Sequence, residues 1–274
     1  MSGQPAVTFL PRGINVDKPT GGRWILLRGL VREARHWGDF PLRLADRVGA
    51  SVHCHDLPGN GIHHARRSPL SIGAMLDQLH EEISLEGPVY LLGLSMGGLV
   101  VAEWASRYPD KVAGLVLINS SSAALSPPWQ RMRPGALPGV LKALCLPSAQ
   151  REEVLYRLTC VRQDDLRPTL SRWVDYAREY PVSRGNFLRQ LCAAVRYRVP
   201  AAISHSPVLI LSGRGDRLVD PRCSRALARH WQCRAHEHPW AGHDLPHDDP
   251  DWLLERLAQF RAETAPPVQP RNSW

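Results

Sequence analysis

Val89-Tyr90-Leu91-Leu92-Gly93-Leu94-Ser95-Met96-Gly97-Gly98-Leu99-Val100 passes from an unbroken apolar run, through a turn of small residues, into a segment of helical composition. A strand apolar on both faces belongs to a buried parallel sheet. The turn matches G-x-S-x-G, the pattern in which a serine sits on a sharp, strained strand-to-helix bend with its hydroxyl presented at the edge of a sheet. Such a bend tolerates only small flanking residues, and Gly93, Gly97 and Gly98 supply them. The plainer interpretation is a glycine-rich turn whose serine caps the next helix. The direct passage of strand into turn into helix favours the bend.

Outward from this stretch, short apolar runs alternate with longer segments of helical period, as in βα units. Strands are predicted at Trp24–Leu27, Ala50–Cys54, Val89–Leu94, Val112–Ile118 and Val208–Leu211, with a weaker one at Cys233–His238. Helices are predicted at Trp37–Val48, Ser71–Leu85, Met96–Arg107, Arg222–Trp231 and Asp251–Phe260. The fold class is therefore α/β, a doubly wound, mostly parallel sheet. Between Ile118 and Val208 lie about 90 residues, far more than one crossover needs. Helical stretches there, at Gly139–Leu146, Glu152–Cys160, Thr169–Tyr180 and Gly185–Arg198, are divided by Pro147, Pro168 and Pro181. The domain reading is a core of residues 1–122 and 201–264, an inserted helical cap at 123–200 over the carboxyl edge of the sheet, and a mobile tail at 265–274.

The 274 residues suffice for one core with one insert. No leader pattern opens the chain and no apolar stretch is long enough to span a bilayer, so the expected location is cytoplasmic. The six cysteines form no C-x-x-C pair and are expected to be reduced. The histidines cluster around 53–64 and 236–247 without a closed Cys/His set, so no metal is expected. The formal net charge is +8, and residues 125–200 alone carry a net +7. That segment is a solvated arginine-rich surface or a docking face for an anionic partner.

The bend makes Ser95 a candidate nucleophile at a helix N-terminus, where backbone N–H groups favour developing negative charge. The Met96 N–H is then one oxyanion donor. The loop after the first long strand, Leu27-Arg28-Gly29-Leu30, offers a second, assigned to the Leu30 N–H. An acid is expected beyond the Val208–Leu211 run, where Asp216 competes with Asp220; Pro221 marks Asp220 as the cap of the next helix. The base is expected after the last strand, where Gly242-His243-Asp244 is preferred over His238 and His247. The chain order Ser, Asp, His fits this architecture. Arg28, Trp129, Met132 and Trp173 are candidate pocket residues. Most aromatic and aliphatic side chains of the cap are as readily helix-packing residues.

These motifs together resemble the α/β-hydrolase superfamily, in particular its helix-capped serine esterase and lactonase branch. The resemblance runs from Trp24 to Phe260 and includes Asp56-Leu57-Pro58-Gly59-Asn60-Gly61, similar to the family's D-x-P-G-x-G loop and taken as a structural turn. It implies hydrolysis of carboxylic esters through an acyl-enzyme, with Ser95, His243 and Asp216 as triad, and requires no cofactor. A serine at the bend argues against dehalogenase and epoxide hydrolase relatives. One departure is Arg28-Gly29 where the family usually carries His-Gly. The basic cap adds a narrower alternative, an esterase of the pimeloyl-acyl-carrier-protein type receiving an acidic carrier on Arg131, Arg133, Arg157 and Arg172; lactonase and thioesterase activity are also compatible. A receptor-like scaffold without catalysis is the non-enzyme alternative. Neither nucleic-acid nor membrane partners are expected.

Overall fold

Alternate residues of the central strands face opposite ways, and both directions are apolar, so each strand needs cover on both faces. The computed structural model, which describes residues 7–10, 13–18, 22–83, 87–164, 166–203 and 206–264, satisfies that need. Strands β1 (Val7–Leu10), β2 (Gly13–Val16), β3 (Arg23–Leu27), β4 (Ser51–His55), β5 (Val89–Leu94), β6 (Val112–Ile118), β7 (Val208–Gly213) and β8 (Arg234–His238) form one sheet ordered β1-β2-β4-β3-β5-β6-β7-β8. From β4 through β8 every neighbouring pair is parallel, whereas β1 and β2 form an antiparallel hairpin that joins β4 antiparallel.

Trp24, Leu26, Tyr90, Leu92, Leu94, Val116, Leu209 and Leu211 point to one face and are covered by α1 (Phe40–Val48) and by a C-terminal helix at Pro250–Thr264. Ile25, Leu27, Leu91, Leu115, Leu117 and Ile210 point to the other, under α2 (Ile72–His80), α3 (Met96–Arg107) and a helix at Arg222–Trp231. This is the doubly wound arrangement that the sequence predicts. Between β6 and β7 run α4 (Pro128–Arg131), α5 (Leu137–Cys145), α6 (Ser148–Thr159), α7 (Leu166–Glu179) and α8 (Arg184–Arg196). The remaining helices, in order, are α9 (Arg222–Trp231), α10 (Leu245–Asp248) and α11 (Pro250–Thr264). No described helix is long and apolar enough to cross a membrane.

The differences from the sequence reading have local causes. Trp37–Val48 is split, because Gly38 takes φ +60 between a 3₁₀ turn at Ala34–Trp37 and α1. α2 starts at Ile72, where the Ser71 hydroxyl accepts the Ala74 N–H, and ends at His80; Leu85 lies outside the described residues, as does the tail 265–274. Pro168 sits in the first turn of α7 rather than before it, where a missing N–H costs nothing. The β1–β2 hairpin was not foreseen.

Candidate active site

Ser95 stands between β5 and α3 with φ 58 and ψ −118, a conformation that costs about 1–3 kcal/mol in a residue with a side chain. The surroundings hold it there. Its N–H donates to Ile118 O at 2.8 Å, and its carbonyl accepts from Gly98 N at 3.0 Å and Ser120 Oγ at 2.9 Å. A Cβ on Gly93 would run into the backbone of Gly97 and Gly98, and one on Gly97 into the carbonyls of Leu27 and Arg28. A Cβ on Gly29 would stand 2.9 Å from Ser95 Cβ. The oxyanion loop expected at 28–30 is therefore packed directly against the bend, and Met96 opens α3, where an N–H has no intrahelical acceptor.

His243 lies on the loop after β8. Its Nδ1 is 2.7 Å from Asp216 Oδ2, and both side chains are buried. The other Asp216 oxygen accepts the N–H groups of Leu218 at 2.8 Å and Val219 at 2.9 Å, which fixes the carboxylate. Asn119 Nδ2 donates to the His243 carbonyl at 2.8 Å, while its Oδ1 accepts Gly213 N. Adjacent residues at the end of β6 thus hold both halves of the site, Ser120 the bend and Asn119 the histidine loop.

The rivals are spent elsewhere. Asp220 accepts the Arg222 N–H and guanidinium at the start of α9, whose hydrogen bonds hold its carboxyl down at about 2. His238 sits between Trp240 and Trp252 and bonds Asp249, and His247 bonds the Tyr156 hydroxyl at 2.9 Å. Cys160, His247 and Asp248 bring potential ligand atoms within 4.8 Å of one another. Asp248, however, accepts the N–H groups of Val161, Arg162 and Gly242, so its carboxylate clamps the histidine loop to the end of α6.

Of the four expected pocket residues, Met132 is partly buried against the apolar cluster of Val31, Val140, Ala143 and Leu155, on which Leu30 and Leu218 also pack. Trp129 is 64% exposed on α4. Trp173 of α7 is buried against Tyr156, His36 and His247 under the Arg32 guanidinium, as a packing residue. Arg28 is buried and donates to both oxygens of Asp244 through Nη1 and Nη2.

Two residues that the sequence did not single out matter here. Gln190 of α8 is fully buried; its Oε1 accepts the Val31 N–H at 3.0 Å, and its Nε2 donates to Asn60 Oδ1 at 2.7 Å. Asn60, in the D-x-P-G-x-G loop, donates to the Arg32 carbonyl at 2.8 Å. That loop is a structural turn, in which Asp56 accepts the N–H groups of Ala34 and Ile62. Only the amide side chain at 190, amid apolar helix positions, could have flagged Gln190.

Comparison with known proteins bears on the fold and the family. The pimeloyl-[acyl-carrier protein] methyl ester esterase of Sodalis glossinidius is 36% identical over 129 residues, 46% of this chain and 48% of that protein, so the match spans about half of that relative. The enzyme of the same name from Aeromonas hydrophila subsp. hydrophila is 28% identical over 211 residues, 74% of this chain and 80% of its own. The crystal structure of the enol-lactonase from Burkholderia xenovorans LB400 superposes with a TM-score of 0.72 at 20% identity, covering 90% of this chain and 94% of that one. A family model described as alpha/beta hydrolase fold matches residues 25–250, and with the sheet order and the bend at Ser95 it establishes that this chain belongs to the α/β-hydrolase fold family.

Proposed function

We propose that this protein is a serine esterase that hydrolyses carboxylic esters through an acyl-enzyme on Ser95. His243 removes the Ser95 proton as the oxygen attacks the carbonyl, and Asp216 holds the imidazole tautomer and stabilises its charged form. The N–H groups of Leu30 and Met96 receive the oxyanion, each worth about 10²–10³ in rate. Collapse expels the alcohol, protonated by His243, and water then releases the acyl group by the same route. The observation carrying this reading is the buried 2.7 Å His243–Asp216 contact on the same sheet edge as the strained Ser95. A fluorophosphonate probe is expected to label Ser95, and Ser95→Ala to lose both labelling and at least about 10³-fold in kcat on p-nitrophenyl butyrate. Undiminished turnover by that variant would end the proposal.

The names of the relatives and the charge of the cap favour a narrower version, in which the ester is carried by an acidic acyl-carrier protein. Residues 125–147 and 181–200, which include α4, α5 and α8, hold seven basic residues and no acid, whereas 148–180 holds six of each. The cap's entire excess charge thus falls on α4, α5, α8 and their flanks, where Trp129, Leu137, Leu141, Leu188 and Val195 are also exposed. Arg131 and Arg133, proposed for docking, lie in this region, though Arg131 is bonded to the Ala194 and Val195 carbonyls and Arg133 to Asp216 O. Arg157 lies in the neutral half, paired with Glu153, as does Arg172. Lys142, Arg196 and Arg198 are exposed and better placed. Turnover of a carrier-bound methyl ester is expected to fall steeply with salt while p-nitrophenyl butyrate turnover does not. Equal salt responses would reduce the proposal to the general esterase.

A further inference from the structure

Arg28 stands where the family usually has histidine, and its buried position explains what the change does. Its Nη1 and Nη2 lie 3.0 and 2.5 Å from the two oxygens of Asp244, with side chains only 2% and 3% exposed. The guanidinium also lies over the Trp37 ring, 4.9 Å from its centre. Arg28 precedes the Gly29-Leu30 loop packed on Ser95, and Asp244 follows His243. A buried ion pair is weak evidence for stability, because desolvation of both charges offsets their attraction. A two-pronged contact does fix relative position.

We propose that the Arg28–Asp244 pair is a positioning element that locks the loop carrying the candidate base to the loop carrying the candidate oxyanion donor. The inference rests on the triad reading above. The histidine loop is otherwise held by Asn119 at the end of β6, by the Gly215 N–H after β7, which donates to Ala241 O at 2.9 Å, by Asp248 of α10, which accepts the Gly242 N–H, and by Asp244 N donating to Thr159 O at the end of α6, 2.8 Å. None of these anchors reaches the Gly29-Leu30 loop. The pair also cancels two charges beside His243. The other charged or titratable groups facing this loop are Asp216 after β7, Arg32 after β3, Cys160 at the end of α6, His238 at the end of β8, whose Nδ1 accepts the Ala241 N–H, and His247 and Asp248 on α10.

The test uses the full-length Arg28→Met and Asp244→Asn variants and their combination, with p-nitrophenyl butyrate kinetics from pH 5 to 9 and fluorophosphonate labelling of the parent. Each single variant is expected to lose about 10–100-fold in kcat with little change in KM, as displacement of a catalytic group does. In Asp244→Asn the uncompensated guanidinium disfavours the imidazolium, so the acidic limb of kcat/KM moves down by about half a unit or more; in Arg28→Met the buried Asp244 carboxyl takes up a proton once its cation is gone, and the limb moves less. The double variant leaves no unpaired buried charge, so it folds and returns the limb close to the parent's while kcat stays low. Limbs that stay fixed in all three variants, or a double variant with parental kcat, would overturn the positioning role. A parent that takes no label fails the triad reading itself, whereas a labelled parent with unmoved limbs fails the positioning alone.

Discussion

Val31 has φ 52, and for a β-branched residue that is a strained conformation. It follows Leu30, so relaxation at Val31 would shift the end of the loop on which the Leu30 N–H sits. The compensation comes from a single side chain, Gln190, whose Oε1 takes the Val31 N–H while its amide reaches Asn60 and Ser68. Gln190→Met keeps the volume and removes the acceptor, leaving a buried N–H unpaired. Stability is expected to fall by about 1–3 kcal/mol in denaturant unfolding. If Val31 relaxes as argued, kcat on a small ester falls as well, with KM nearly unchanged. A variant that is less stable yet has parental kcat would show that Gln190 serves only the packing of α8.

At the scale of elements, what the sequence made legible follows from how local each signal was. β5, the bend and α3 were readable because strand, turn chemistry and helix start lie within twelve consecutive residues. β3, β6 and β7 were equally plain, since apolar runs buried on both faces have few alternatives. The β1–β2 hairpin was missed because Val7–Leu10 and Gly13–Val16 are four-residue strands, each only two periods of strand alternation. Of the candidate site, Ser95, Asp216 and His243 could be singled out from chain order and flanking glycines, and Asp220 was read as a capping residue; its carboxylate accepts the Arg222 N–H. The pocket residues were not legible. Whether Trp129 or Trp173 lines a cavity depends on how α4 and α7 pack, and helical period says only that a face is apolar. Arg28 announced itself as a departure, but its partner is 216 residues away and no local pattern connects the two.

Across the whole molecule, the segment between β6 and β7 is fastened to the loop after β3 by ion pairs as well as by apolar burial. Arg32 pairs with Glu152 of α6, and Arg35 reaches Glu33 and, at 2.5 Å, Glu179 of α7. This junction makes stability depend on pH in a direction that can be worked out. Burial pushes Glu33 up to about 7, and the Arg35 hydrogen bond only partly opposes it. Between the unfolded value of 4.5 and about 7 the folded chain therefore holds a proton that the unfolded chain has released. The stabilisation is complete below 4.5 and is lost as pH rises through 7. Buried His55, held neutral and pushed down to about 4, acts the opposite way: stability falls as pH drops below 6.5, where the unfolded chain takes up a proton that the folded one refuses. His36, buried beside Arg32 and also pushed well down, adds to that acid-side loss. Above pH 6.5 the Glu33 contribution runs unopposed by these histidines, so Tm is expected to decline from pH 6.5 to about 8. Glu33→Gln keeps an acceptor for Arg35 without the charge. It should raise stability by about 1–3 kcal/mol at pH 8 and lose that advantage toward pH 4.5, read as Tm across the range. A Glu33→Gln profile parallel to the parent's would mean that Glu33 stays ionised at neutral pH, and that the pull of Arg35 outweighs the cost of burial.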